Sequence, residues 1–273
     1  MGFNDILMYI LEYSPVHELF TFGATCRRGR CAVEDVIRNR LVRLLKPYVE
    51  GEMWAFEREF TLCAAAISGS TALWMLLIPD NWTPKDLDII APSQGADKLV
   101  QFFESIGYTS RPTSPDIRQG TNIRRLVGLT KGNRKVMVSE SLSDSVFPPL
   151  LSASTTLELN AVTMESLVCL YPKLTFVKAG FVCQWGGLSK GDIEWFKRTK
   201  MGIYPYSVPW VGNCGYSCPA LRRRLHALEG AAVLSWKDPG GRGDVRYMAG
   251  KSHYAWTIKA ECENPFCEWK GHT

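Results

Sequence analysis

Two short stretches limit what this chain can fold into: Ile67-Ser-Gly69-Ser70 and, after fifteen intervening residues, Asp86-Leu87-Asp88-Ile89-Ile90. Side chains alternate along an extended strand, so Asp86 and Asp88 share one face while Leu87 and Ile89 point into a core. A Gly-Ser turn opening a helix and a strand carrying two carboxylates one residue apart are the two halves of a metal-dependent nucleotide site. Asp86 and Asp88 are therefore candidate catalytic residues and Mg2+ ligands, and Gly69 and Ser70 candidate nucleotide-binding residues. The same residues also read as a loop-to-strand junction after Pro84, with Asp86 as a cap and Asp88 solvated.

The pattern apolar-Gly-[Gly/Ser], helix, Asp-apolar-[Asp/Glu]-apolar resembles the nucleotidyltransferase fold of the DNA polymerase beta type. Ile67 to Ser70, the helix Thr71 to Leu77, and Asp86 to Ile89 supply its parts. The flanks Ser68-Gly69-Ser70, Leu73 to Leu77, Trp82-Thr-Pro84 and Asp86-Leu-Asp88 are similar to a group of fungal proteins built on that fold, over residues 60 to 180 or so. The resemblance implies an α+β fold, a small mixed sheet with flanking helices, that binds a nucleoside triphosphate on Gly69 and Ser70. It also implies two divalent metals, Mg2+ by type, on Asp86, Asp88 and a third carboxylate from a neighbouring strand.

That strand is expected at Arg134 to Ser139, reached from Arg124 to Thr130 through the turn Lys131-Gly-Asn133. Its interior carries no acid. Met137 stands at the matching position, and a thioether is too soft a ligand for Mg2+. Glu140, just beyond, shares a face with Val136 and Val138. The site is expected either to bind a nucleotide or one metal without efficient transfer, or to have lost its chemistry and kept the fold.

Residues 1–50 read as three helices. Ile6, Leu7, Ile10 and Leu11 lie at helical spacing, Ser14-Pro15 ends the first helix, and His17 to Phe22 and Thr25 to Arg43 follow. Ile6-Leu7, Ile10-Leu11, Glu18-Leu19 and Cys26-Arg27-Arg28 resemble an F-box, which implies a surface for a ubiquitin-ligase adaptor. Gly2-Phe3 replaces the usual leading Leu-Pro, and Gly29 follows the Arg pair. The alternative is a helical prefix packed on a transferase-like core of residues 51–200; an adaptor surface leaves an apolar patch exposed, whereas a prefix buries it.

A hydrophobic content of 46% supports a real core. No apolar run is long enough for a membrane span, and Asp5 interrupts the opening stretch where a signal peptide would be apolar, so the cytoplasm or nucleus is expected. Nine cysteines, an odd number, favour thiols over a disulfide framework. The net charge of +5 is mild, and the basic clusters Arg27-Arg28, Arg38 to Arg43 and Arg222 to Arg224 read as solvated faces before nucleic-acid contacts.

Further along, a helix is expected from Ser93, as cap, to Gly107, as stop. A loop from Tyr108 to Gly120 is expected near the site, with Arg111, Arg118 and Lys131 as candidate phosphate contacts. Thr163 to Leu170 reads as a helix, and Ser189-Lys-Gly-Asp192 as the capping box of another. Ser154-Thr155, Leu159-Asn160 and Tyr171-Pro172 read as packing and turn positions, with Asn160 alternatively facing a base or ribose. Residues 201–273 form a Cys- and Trp-rich region, with strands at Ala231 to Trp236 and Tyr254 to Ala260 and a turn at Arg242-Gly-Asp244 between them. Cys214, Cys218, Cys262 and Cys267 are two closely spaced pairs that suit a tetrahedral structural zinc. The alternatives are buried free thiols, or His226 or His253 as substitute ligands.

Overall fold

The computed structural model describes residues 3–78, 81–112, 122–183, 187–204, 213–225, 228, 230–236, 254–259 and 261–269. Arg118, His226, His253 and Arg242 to Asp244 lie outside the described residues.

Four helices come first: α1 (Phe3–Tyr13), α2 (Val16–Gly23), α3 (Arg27–Val49) and α4 (Met53–Leu62). Pro15 holds an extended backbone at the start of α2, φ −63 and ψ 154, and so separates it from α1. α3 continues past the expected end at Arg43 to Val49. The sequence reading missed α4, although its buried Phe56 and Phe60 lie one turn apart with ring centroids at 5.2 Å. Arg40, fully buried on α3, donates to the carbonyls of Glu12 at 2.6 Å and Ser14 at 2.7 Å. These are acceptors that the end of α1 leaves without helical partners, so the guanidinium fastens α1 to α3.

The central elements are β1 (Ala66–Ser68), α5 (Gly69–Leu77), β2 (Asp86–Ala91), α6 (Ala96–Ser105), β3 (Thr109–Pro112), β4 (Ile123–Lys131) and β5 (Arg134–Ser141). β4 and β5 form the expected hairpin, closing at Lys131 opposite Arg134. α6 starts after Gly95 rather than Ser93, because Pro92 to Gly95 forms a turn of its own; it stops before Gly107, whose φ of 91 ends the helix as expected. Residues 109–112, expected in a loop, are strand β3, paired along the edge of β4.

The remaining elements are α7 (Phe147–Leu151), β6 (Asn160–Val162), β7 (Ser166–Cys169), α8 (Pro172–Thr175), β8 (Ala179–Phe181), α9 (Lys190–Arg198), β9 (Gly202–Tyr204), β10 (Arg223–Arg224), β11 (Ala232–Ser235) and β12 (Ala255–Trp256). The helix expected over Thr163 to Leu170 is instead the β6–β7 hairpin. Thr163 Oγ1 accepts from Ser166 N at 2.9 Å and Glu165 N at 3.1 Å, which closes the turn. Leu167, Val168 and Cys169 are all fully buried, and a strand covered on both faces shows a continuous apolar run with no alternation to mark it. The expected Ser189–Asp192 capping box forms at the start of α9.

Eight strands make one mixed sheet in the order β11-β7-β6-β1-β2-β5-β4-β3, so the fold is α+β. β2 and β5 are its parallel pair. β11 joins β7, while β12 pairs with β10, so the two C-terminal strands do not pair with each other. On one face, Ile67, Leu87, Ile89, Val136 and Val138 share a core with the leading helices, including Leu19, Ile37 and Leu45. On the other, Ala66 and Ile90 pack with Phe147, Leu159, Tyr171 and Phe181.

Candidate functional site

The alternation read from the sequence is realised in β2. Leu87 and Ile89 are fully buried, whereas Asp86 and Asp88 are half-buried on the face of Ile90. β1 brings the glycine turn to the same place, because Ser68 lies opposite Asp88 in the antiparallel register. Gly69 has φ 61, and a Cβ built on it would lie 2.5 Å from Asp88 Oδ2. Only a residue without a side chain lets the turn rest against that carboxylate.

α5 begins at this contact. Ser68 makes no side-chain cap, so the N–H groups of the first turn lack that partner, and half-buried Ser70 belongs to the same turn. Thr71 Oγ1 donates to the Asp86 carbonyl at 2.9 Å, fastening the helix to the start of β2.

The partner strand completes the surroundings. In the parallel register Lys135 lies beside Asp86 and Met137 beside Asp88. Lys135 Nζ is 3.8 Å from Asp86 Oδ2. Met137 thus occupies the neighbouring place where an acid was sought. Glu140 lies opposite Ala91, on the face turned away from Met137, and its buried carboxylate accepts from Arg125 Nε at 3.0 Å. It is committed elsewhere.

Burial pushes the Asp88 carboxyl up to about 7, and the negative charge of Asp86 adds to that effect. Lys135 works against the rise, and Glu158, in the turn that precedes β6, adds to it. Glu158 Oε2 is engaged by Thr155 N at 3.1 Å and Thr155 Oγ1 at 3.0 Å, in a capping box. Tyr48, at the end of α3, is pushed up by burial and then by Asp86 and Asp88. Tyr48, Lys135 and Glu158 were not picked out in the sequence. Lys135 sits in register with Asp86, a pairing that no local pattern records.

The other candidates have different fates. Asn160 is fully buried and donates to Leu157 O at 2.6 Å, so it packs and faces neither base nor ribose. Lys131 pairs with Glu50 at 2.7 Å, and Arg111 is exposed on β3. Asp86 and Asp88, on one face of β2, offer carboxylates, hard oxygen ligands of the kind Mg2+ takes.

The thiols form a second candidate site. Cys214, Cys218, Cys262 and Cys267 are buried, and their four Sγ atoms all lie within 4.8 Å of one another. Cys214 Sγ is 3.7 Å from Cys262 Sγ, and Cys218 Sγ is 3.4 Å from Cys267 Sγ. A tetrahedron with Zn–S bonds of about 2.3 Å has edges of about 3.8 Å, so the thiols stand close to the separation a tetrahedral metal ion needs. Asn264 Nδ2 donates to Cys214 Sγ at 2.9 Å, and burial pushes the Cys214 thiol up.

The chain is thus an α+β protein with an acid pair set against a glycine-opened helix and a buried cluster of four thiols that could hold a metal ion. No protein-family model matches it, and no curated protein is similar in sequence. Among solved structures, the apo form of a CCA-adding enzyme is similar with a TM-score of 0.36 and 13% identity, over 51% of this chain and 35% of that one. A CCA-adding enzyme in complex with CTP gives a TM-score of 0.30 and 14% identity, over 45% of this chain and 28% of the other. The chain spans about a third of the length of the structures it matches. No helix among the described residues is long and apolar enough to cross a membrane.

Proposed function

We propose that the protein binds a nucleoside triphosphate with Mg2+ where β1, α5 and β2 meet, as a nucleotidyltransferase-type module of residues 51–200. The contact between the Gly69 turn and the Asp88 carboxylate carries this reading. It puts phosphate donors and cation donors side by side, so one ion can bridge protein and phosphate. Asp86 and Asp88 hold the cation, Gly69 and Ser70 receive phosphate oxygens, and the ion neutralises the charge that would otherwise repel the nucleotide. Binding is placed ahead of transfer because Met137 stands where a third acid would complete a two-ion site. Calorimetric titration with ATP, CTP, GTP and UTP in Mg2+ tests it: Asp88→Asn is expected to weaken binding at least tenfold, and an unchanged affinity would sink the reading. Label transfer from the same triphosphates in Mg2+ or Mn2+ tests catalysis separately.

Zinc is the ion proposed for the thiol cluster, supported by its nearly tetrahedral spacing. Its role is structural, since four thiolates leave no open position for a reactant. Elemental analysis of purified protein should find one zinc per chain, lost in Cys218→Ser.

A second reading is supported by α1. Leu11 is buried, but Ile6, Tyr9, Ile10 and Tyr13 are 48%, 61%, 57% and 63% exposed, an apolar face of the kind an adaptor would cover. On this reading residues 1–50 recruit a ubiquitin-ligase adaptor in the cytoplasm or nucleus, and the nucleotide module reads the target. Co-purification with the adaptor, lost in Ile10→Glu, is the expected result; failure of the unaltered protein to bind it would remove this role.

A further inference from the structure

The neighbouring strand carries a cation in the acid pair's surroundings. Asp86 and Asp88 on β2 face the same way as Lys135 and Met137 on β5, in register, with Lys135 Nζ 3.8 Å from Asp86 Oδ2. A two-ion phosphate site needs several anionic ligands, because each hard cation prefers oxygen and repels the other. Relative to a three-acid site, this pair of strands exchanges one carboxylate for a thioether and adds one ammonium. The protein's own charge there rises by two units, the charge of one divalent cation.

We infer that the Lys135 ammonium permanently supplies one of these two charges, the exchange of a carboxylate for Met137 accounting for the other, so that the acid pair takes up one divalent cation with its nucleotide and not two. The inference rests on the nucleotide-binding reading above. Two carboxylates and the phosphate oxygens furnish ligands for one six-coordinate ion. A second ion would meet the ammonium on the Asp86 side and the Met137 sulfur on the Asp88 side, one repulsive and the other too soft. Lys135 is a charge-balancing residue, exposed enough (side chain 53% accessible) to reach from Asp86 to a phosphate oxygen. The competing source of a third acid is Glu158, which acts electrostatically on Asp88 but spends Oε2 on the Thr155 cap.

The test counts ions without relying on turnover. Mn2+ binding is titrated by electron paramagnetic resonance in the presence of α,β-methylene-ATP, on the full chain and on three variants checked by circular dichroism. The unaltered protein should bind one Mn2+ at the acid pair, identified by its loss in Asp88→Asn. Lys135→Glu should bind two, and Lys135→Gln, a milder change, should take a second ion more weakly. Glu158→Gln should stay at one. Two ions in the unaltered protein, one ion in both folded Lys135 variants, or loss of the ion in Glu158→Gln would each overturn the inference. Absence of any Asp88-dependent Mn2+ is a different result: it removes the nucleotide-binding reading, and the inference with it.

Discussion

The acid pair and the thiol cluster both crowd groups that repel one another when ionised, and they are supported differently. Asp86 and Asp88 sit on a central strand whose alternate residues, Leu87 and Ile89, are fully buried in the larger core. The buried alternate residues of β2 fix the strand that carries these carboxylates. Around the thiols the apolar cluster consists of Cys214, Cys218, Ala220, Leu221, Cys262 and Cys267, with Trp269 against it. There the prospective ligands are most of the core. A site on a deep sheet can lose its ligand and keep its shape, whereas a site that is its own core has little else to hold it.

The largest expected effect follows from that contrast. Cys218→Ser, or a strong zinc chelator, should collapse hydrogen-exchange protection over residues 213–225 and 261–269 while β1, β2 and β5 keep theirs. Equal loss in β2 would break the comparison by showing that the sheet leans on the cluster. Gly69→Ala comes next, since the added methyl group meets Asp88 and the φ of 61 disfavours any side chain. A destabilisation of about 1–3 kcal/mol in urea titration is expected.

A smaller effect is graded by pH. Asp88 is raised from its ordinary value to about 7, so the folded chain holds that proton more tightly than the unfolded one. Without divalent cations its contribution is therefore most favourable below about pH 4 and is lost as pH rises through 7, by up to about 1.4 kcal/mol per pH unit. Asp88→Asn should flatten that stretch of the stability profile, and an unchanged slope would show that the carboxylate is better solvated than its surroundings suggest. Ser70→Ala should change least. A roughly fivefold weaker triphosphate affinity with unchanged thermal midpoint is expected, the size of one hydrogen bond.

What the sequence made legible is local. Period-two spacing assigned Asp86 and Asp88 to one face, the Gly132-Asn133 turn marked the β4–β5 hairpin, and Ser189 with Asp192 marked the start of α9. Cysteine spacing singled out the thiols that the fold brings together. The misreadings have nonlocal causes. Ser166 to Cys169 looks helical until β6 and β11 are known to flank it, because burial on both faces erases the alternation of a strand. Lys135 meant little as one more surface lysine, and gains significance only from its register with Asp86.

The pairing of β11 with β7 also has a consequence for synthesis. Ser166 to Cys169 emerges from the ribosome well before Ala232 to Ser235, the segment that covers its free edge. At ~5–20 residues per second, that edge waits roughly 3–13 s with unpaired backbone groups and the apolar side chains of Leu167, Val168 and Cys169. A nascent chain stalled before residue 232 should therefore capture chaperones or aggregate, and one released after residue 236 should do so far less. The last strand of this sheet to be made would then act as the guard of a sheet whose acid pair is already in place.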